Sequence, residues 1–108
     1  LRRCRGYDHN FVLEGPGAFA WLRSPETGIT MTAETDLPGV QLYSGNWVEE
    51  PKGKRPYGPR DGVCLETQFF PNAMAVAQFE KPILRAGAVY DHTTVYGFGV
   101  ELDCTENR

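Results

Sequence analysis

Glu66 stands in the run Cys64-Leu65-Glu66-Thr67-Gln68, with Pro71-Asn72-Ala73 shortly after it. Two-residue alternation puts Val63, Leu65 and Thr67 on one face of a strand, and Cys64, Glu66 and Gln68 on the other. A carboxylate on a rigid strand beside an amide suits proton transfer and hydroxyl binding. The same spacing also fits a solvent-facing strand residue, the usual setting of Glu. Cys64 shares the polar face, but no feature of the sequence around it marks an activated thiol, so it is not read as a nucleophile.

The elements that must position these residues read as strands joined by turns. Ala18 to Arg23 alternates, with Phe19 and Trp21 offset from Ala18, Ala20 and Leu22. Ser24-Pro25-Glu26-Thr27-Gly28 reads as a hairpin loop, with Pro early and Gly late. Its return strand, Ile29 to Thr35, is rich in Thr. Further strands are predicted at Phe11 to Leu13, Val40 to Tyr43, 63–70 and Thr93 to Leu102. In the last of these Tyr96, Phe98, Val100 and Leu102 share one face, and Gly97 and Gly99 lie on the other, where a flat partner could approach closely. Residues 47–61 carry Pro51, Gly53, Pro56, Gly58 and Pro59 and read as a long loop. Pro71 to Phe79 has fair helix propensity and is predicted to make a short helical turn. The whole is an all-β, antiparallel sandwich. Neither Val40–Tyr43 nor Thr93–Leu102 carries the charge or Pro that blunts an edge strand, so pairing with further strands is expected.

Composition narrows the class of function. The chain has 108 residues, one small domain's worth, and 41% of them are hydrophobic, too many for a disordered tail. Its formal charge is −3, and its only basic cluster, Lys52, Lys54, Arg55 and Arg60, sits in the Pro- and Gly-rich loop. A nucleic-acid surface needs a wider basic stripe with aromatics between, so no nucleic-acid partner is expected. No stretch approaches the roughly 18 apolar residues of a membrane span, so no membrane partner is expected, and no secretory leader is visible. The cysteines, Cys4, Cys64 and Cys104, are odd in number and lack metal-ligand spacing. Free thiols in a reducing, cytoplasmic compartment are the simplest account.

Four segments together resemble one family. They are Gly6-Tyr7-Asp8-His9-Asn10-Phe11-Val12-Leu13, then Leu37-Pro38-Gly39-Val40-Gln41-Leu42-Tyr43-Ser44-Gly45-Asn46, then Gly62 to Gln68 with Pro71-Asn72-Ala73, and finally Ile83-Leu84-Arg85-Ala86-Gly87 with Tyr90 and Thr93-Thr94-Val95-Tyr96. In this order and spacing they are similar to the C-terminal third of the aldose 1-epimerases, the galactose mutarotases. The likeness covers essentially all 108 residues. Asn72 stands where that family commonly has Asp, Ala86 where it has Pro, and Phe69-Phe70 where it has a polar-aromatic pair. These departures leave the sugar preference open.

The resemblance implies that residues 1–108 form one unit of a larger antiparallel β-sandwich, a supersandwich. It implies mutarotation of an aldohexose such as galactose or glucose, an isomerase reaction of hexose metabolism that needs no cofactor and no metal. Glu66 would be the general base, and Asp8 and Gln41 would bind the sugar. The family's acid is a histidine supported by a second one, both N-terminal to the segments matched here. His9 and His92 do not match them, so the isolated chain is expected to be inactive or weak. The missing part of the fold, or another chain, would cover the open strand edges. The alternative is a non-catalytic carbohydrate-binding β-sandwich that uses the same polar cleft. A glycosidase built on Asp8 and Glu66 ranks lower, since two acids alone support it. Trp47, Phe69 and Phe70 fit either a sugar face or core packing.

Overall fold

The computed structural model describes residues 5–15 and 17–101. Six strands run in the order β1 (Asp8–Val12), β2 (Ala18–Arg23), β3 (Ile29–Thr35), β4 (Gly39–Tyr43), β5 (Cys64–Gln68) and β6 (Thr94–Val100). They form two three-stranded sheets, β1-β4-β5 and β2-β3-β6, and every pairing is antiparallel. No helix occurs among the described residues, so none is there to cross a membrane. The all-β, antiparallel class read from the sequence holds. Two compact units result, one from residues 1–13 and 37–89, the other from 14–36 and 90–108.

In the first unit β4 is the central strand, flanked by β1 and β5. The sequence suggested Val40–Tyr43 as an open edge; it is instead paired on both sides, and β1 and β5 are the edges. Strand β1 begins at Asp8, three residues before the apolar run that marked it in the sequence. Residues that oppose one another across the ladder share a face. His9 and Phe11, Val40 and Leu42, and Leu65 and Thr67 therefore line one side. Val40 is 5% exposed there. Burying one such side chain stabilises by about 1.5–3 kcal/mol.

Residues 71–79 form successive turns rather than the helical turn expected from propensity. The Ala73, Ala75 and Phe79 amides each reach back three residues, to the carbonyls of Phe70, Asn72 and Val76. Tertiary contacts fix this shape and override propensity. The Phe70 and Phe79 rings meet edge to face at 4.9 Å. The half-buried Lys81 ammonium donates to the Ala73 carbonyl at 2.6 Å and to the Val76 carbonyl. We expect Lys81→Met to destabilise the chain by about 1–3 kcal/mol in denaturant titrations. Amide exchange at residues 73–79 should quicken more than in the β4 ladder.

The long loop 47–61 is tied internally. Glu50 and Tyr57 exchange two backbone hydrogen bonds at 3.1 and 3.0 Å, and the Arg55 guanidinium lies 5.3 Å from the Tyr57 ring centre. The part of the loop that carries three of the four basic residues is therefore a small hairpin-like turn.

In the second unit β3 is central. Its hairpin with β2 closes as the sequence suggests: Ser24 N–H donates to the Ile29 carbonyl and Gly28 N–H to the Ser24 carbonyl, both at 2.8 Å. Gly28 has φ +70°, a left-handed conformation that suits Gly. Simple alternation fails at one place in β2. Ala18 opposes Glu34 whereas Ala20 opposes Ala33, so a bulge at Phe19 shifts the register. Beyond it, Ala20 and Leu22 share a face with Ile29, Met31 and Ala33 and with Tyr96, Phe98 and Val100. Ala33 is fully buried, while Phe98 on the edge strand β6 is 73% exposed. Gly97 and Gly99 lie opposite Thr32 and Thr30, whose hydroxyls occupy the space a Cβ there would fill. Neighbouring threonines account for Gly at these positions. Leu102, assigned to the same strand face from the sequence, lies outside the described residues, as do Cys4 and Cys104.

Candidate functional site

The other face of the β1-β4-β5 sheet is polar. Register places Asp8 opposite Tyr43, Asn10 opposite Gln41, and Gln41 opposite Glu66; Tyr43 opposes Cys64, and Gly39 opposes Gln68. Asp8, Asn10, Gln41, Tyr43, Cys64, Glu66 and Gln68 thus project from one side. Three sequence segments, up to 60 residues apart, meet there. The strands that carry Asp8 and Glu66 lie either side of β4, two strand spacings or about 9.5 Å apart.

Gln41, between them, makes the key contact. Its Nε2 donates to Asp8 Oδ1 at 2.7 Å. Its Oε1 is buried without a hydrogen-bond partner. Buried polar atoms in folded proteins are nearly always satisfied, so this orphan sets Gln41 apart from the other polar side chains of the face. A second amide bridge lies alongside: Gln68 Nε2 donates to Asn10 Oδ1 at 3.1 Å. It needs the missing side chain of Gly39, since a Cβ there would lie 3.0 Å from both Asn10 Oδ1 and the Phe70 ring. Glycine at this one position lets β1 and β5 side chains approach across the central strand.

Asp8, Gln41, Tyr43, Glu66, Gln68 and Pro71 line an open depression of about 440 Å³. The three site residues singled out in the sequence share it. Glu66 is exposed at its edge-strand position. Sequence reading did not assign Tyr43 or Asn10 a role. Alternation from Gln41 puts Tyr43 on the same face, which was the available signal. The Tyr43 hydroxyl accepts the Trp47 N–H at 3.0 Å, fixing the ring at the side of the cleft.

Neither histidine lines the depression. His9 alternates to the opposite face of β1, where its Nδ1 accepts the Asp8 N–H at 3.0 Å and its ring meets Tyr7 edge-on. His92, in the second unit, lies 3.2 Å from Asp36 Oδ1 and packs against Tyr90. Phe70 is taken up in packing against Phe79 and Gly39. Cys64 is an exposed free thiol.

This geometry suits binding a polyhydroxylated ring: acceptors at Asp8 and Glu66, and an amide between them able to donate and accept. We expect Gln41→Glu to break it, by setting a carboxylate against Asp8 in place of a donor. The result should be at least about tenfold weaker sugar binding, one lost charge-assisted hydrogen bond being worth about 1.5–3 kcal/mol. Isothermal titration with an aldohexose would measure it.

Comparison with known proteins shows the family of the chain. The aldose 1-epimerase family matches residues 1–97. Galactose mutarotase of Homo sapiens is 40% identical over 101 residues, covering 88% of this chain and 30% of that protein. That of Bos taurus is 39% identical over the same extent. Aldose 1-epimerase of Escherichia coli K12 is 32% identical over 110 residues, covering 93% of this chain and 31% of that protein. The chain therefore spans about 30% of the length of the relatives it matches. With a family match over nearly its whole length, the chain belongs to the aldose 1-epimerase family.

Proposed function

We propose that this chain carries the base and part of the sugar-binding surface of a mutarotase acting on an aldohexose. The observation that carries the reading is the Asp8–Gln41–Glu66 row across one sheet face, with Gln41 bonded to Asp8. In this reading Asp8 and Gln41 bind ring hydroxyls. Glu66 removes the proton of the anomeric hydroxyl. As C1=O forms, the C1–O5 bond breaks and O5 takes a proton from an acid. Rotation about C1–C2 and the reverse steps give the other anomer, with the proton returned. Since neither His9 nor His92 lines the cleft, the acid comes from protein outside these 108 residues. The same reading makes the chain one part of a larger β-sandwich, whose other strands would pair with exposed edges such as β6. The free Cys64 thiol supports a reducing, cytoplasmic setting.

Polarimetry tests this. Fresh α-galactose should relax at the uncatalysed rate with the chain alone. It should relax faster when the chain is joined to the N-terminal part of a relative that carries the acid. Acceleration by the joined protein that survives Glu66→Gln would sink the assignment of the base.

A further inference from the structure

Trp47, whose backbone amide anchors the Tyr43 hydroxyl, also lines a second depression of about 470 Å³. Arg5, Arg60, Val48 and Pro59 share its wall, with Glu49. Three non-glycine residues have positive φ among the described residues, and two are these arginines: Arg5 at 58° and Arg60 at 71°. A left-handed backbone is unfavourable for a non-glycine residue, and such conformations concentrate at functional sites.

Both guanidiniums are held in place. Arg5 lies over the Trp47 ring, 5.2 Å from its centre. Arg60 donates from Nη1 to the Arg5 carbonyl at 3.2 Å, and its own amide donates to the Gly45 carbonyl at 3.0 Å. Among the described residues neither guanidinium pairs with a carboxylate, Glu49 included. Two positioned guanidinium forks, with apolar wall from Val48 and Pro59, suit an oxyanion carried on a small organic ligand.

We propose that this depression is an oxyanion subsite beside the sugar cleft, which takes the phosphate or carboxylate of an anionic aldose. The aldose part rests on the reading of the cleft given above. The anion preference rests on Arg5, Trp47 and Arg60 alone, and the test separates the two.

The chain has two tryptophans, so two indole N–H signals report by NMR, with Trp21 in the other unit as internal control. Inorganic phosphate, added at constant ionic strength, should move the Trp47 signal and leave that of Trp21 in place. Arg5→Asn and Arg60→Asn should each weaken this response about tenfold or more. Asn tolerates a left-handed backbone, so these variants should keep the fold, which unchanged amide signals of the β1-β4-β5 ladder check. An aldohexose phosphate and an aldohexuronate then distinguish the two oxyanions, by which moves Trp47 at the lower concentration. Neutral galactose should shift the amides around Glu66 without moving Trp47, and its failure would count against the cleft and not the subsite. A Trp47 signal that ignores phosphate, or that responds equally in Arg60→Asn, overturns the proposal.

Discussion

Glu66→Gln is expected to lower kcat for mutarotation by about 10²–10⁴-fold, the usual contribution of a positioned general base. The measurement is polarimetric, on the protein with its acid in place. KM should change little, because Gln keeps the shape and hydrogen-bonding reach of Glu while losing the ability to take a proton. Stability should also hold. Glu66 is exposed on an edge strand, and its replacement should stay within about 0.5 kcal/mol. This split, a large loss in rate without loss of fold, separates a base from a residue that merely shapes the strand. Glu66→Asp should lie between, since the carboxylate survives but withdraws along the side chain. A fall in KM affinity with kcat preserved would instead make Glu66 a binding residue and return the chain to the sugar-binding reading.

Gly6→Ala is expected to cost about 2–3 kcal/mol, a large stability effect for a single substitution near the site. Gly6 has φ 148°, and a Cβ there would overlap Asn46 Oδ1 and Ser44 Oγ. Those atoms belong to a tight network. Asn46, 4% exposed, donates to the Tyr7 carbonyl at 2.9 Å and accepts from Ser44 Oγ at 2.7 Å. Ser44 Oγ in turn accepts the Tyr7 N–H at 2.8 Å. The methyl cannot enter without breaking a bond to a buried amide, which leaves a polar group unsatisfied. A loss of this size is a large part of a small domain's total stability, commonly 5–15 kcal/mol. Urea denaturation measures it. In a background carrying both Ser44→Ala and Asn46→Ala the same change should cost less, because both overlapping side-chain ends are removed. Equal cost in both backgrounds would place the strain in the Gly6 backbone rather than in the network.

What could be read from residues alone was local. The Thr-rich alternation of Ile29–Thr35 and the Pro-to-Gly loop before it marked the β2–β3 hairpin, because turn chemistry and period act within a few residues. Glu66 could be placed on the polar face of β5 for the same reason. The pairing of distant strands could not. Nothing in Val40–Tyr43 says that Asp8–Val12 lies on one side and Cys64–Gln68 on the other, so the centre of the sheet was taken for an edge. The bulge at Phe19 and the turns of residues 71–79 were hidden likewise, since each depends on a partner far along the chain: Ala33 and Glu34 for the first, Lys81 and the Phe70–Phe79 contact for the second. Asp8 and Gln41 entered through likeness to a family. Their adjacency became visible only when the β1–β4 register was known.

That central β4 carries Gln41 between Asp8 and Glu66 sets a rule of parity on how this surface can change over evolution. Inserting or deleting one residue within Gly39–Tyr43 would turn Gln41 to the apolar side and bring Val40 or Leu42 into the cleft. No compensating change in a neighbouring strand would restore the row short of the same slip in both. Length changes in the loop of residues 47–61 carry no such penalty, because the entropy of a longer loop grows slowly with its length. Descendants of this chain should therefore vary in the size of that loop, and with it the surroundings of Trp47 and Arg60, while strand lengths stay fixed.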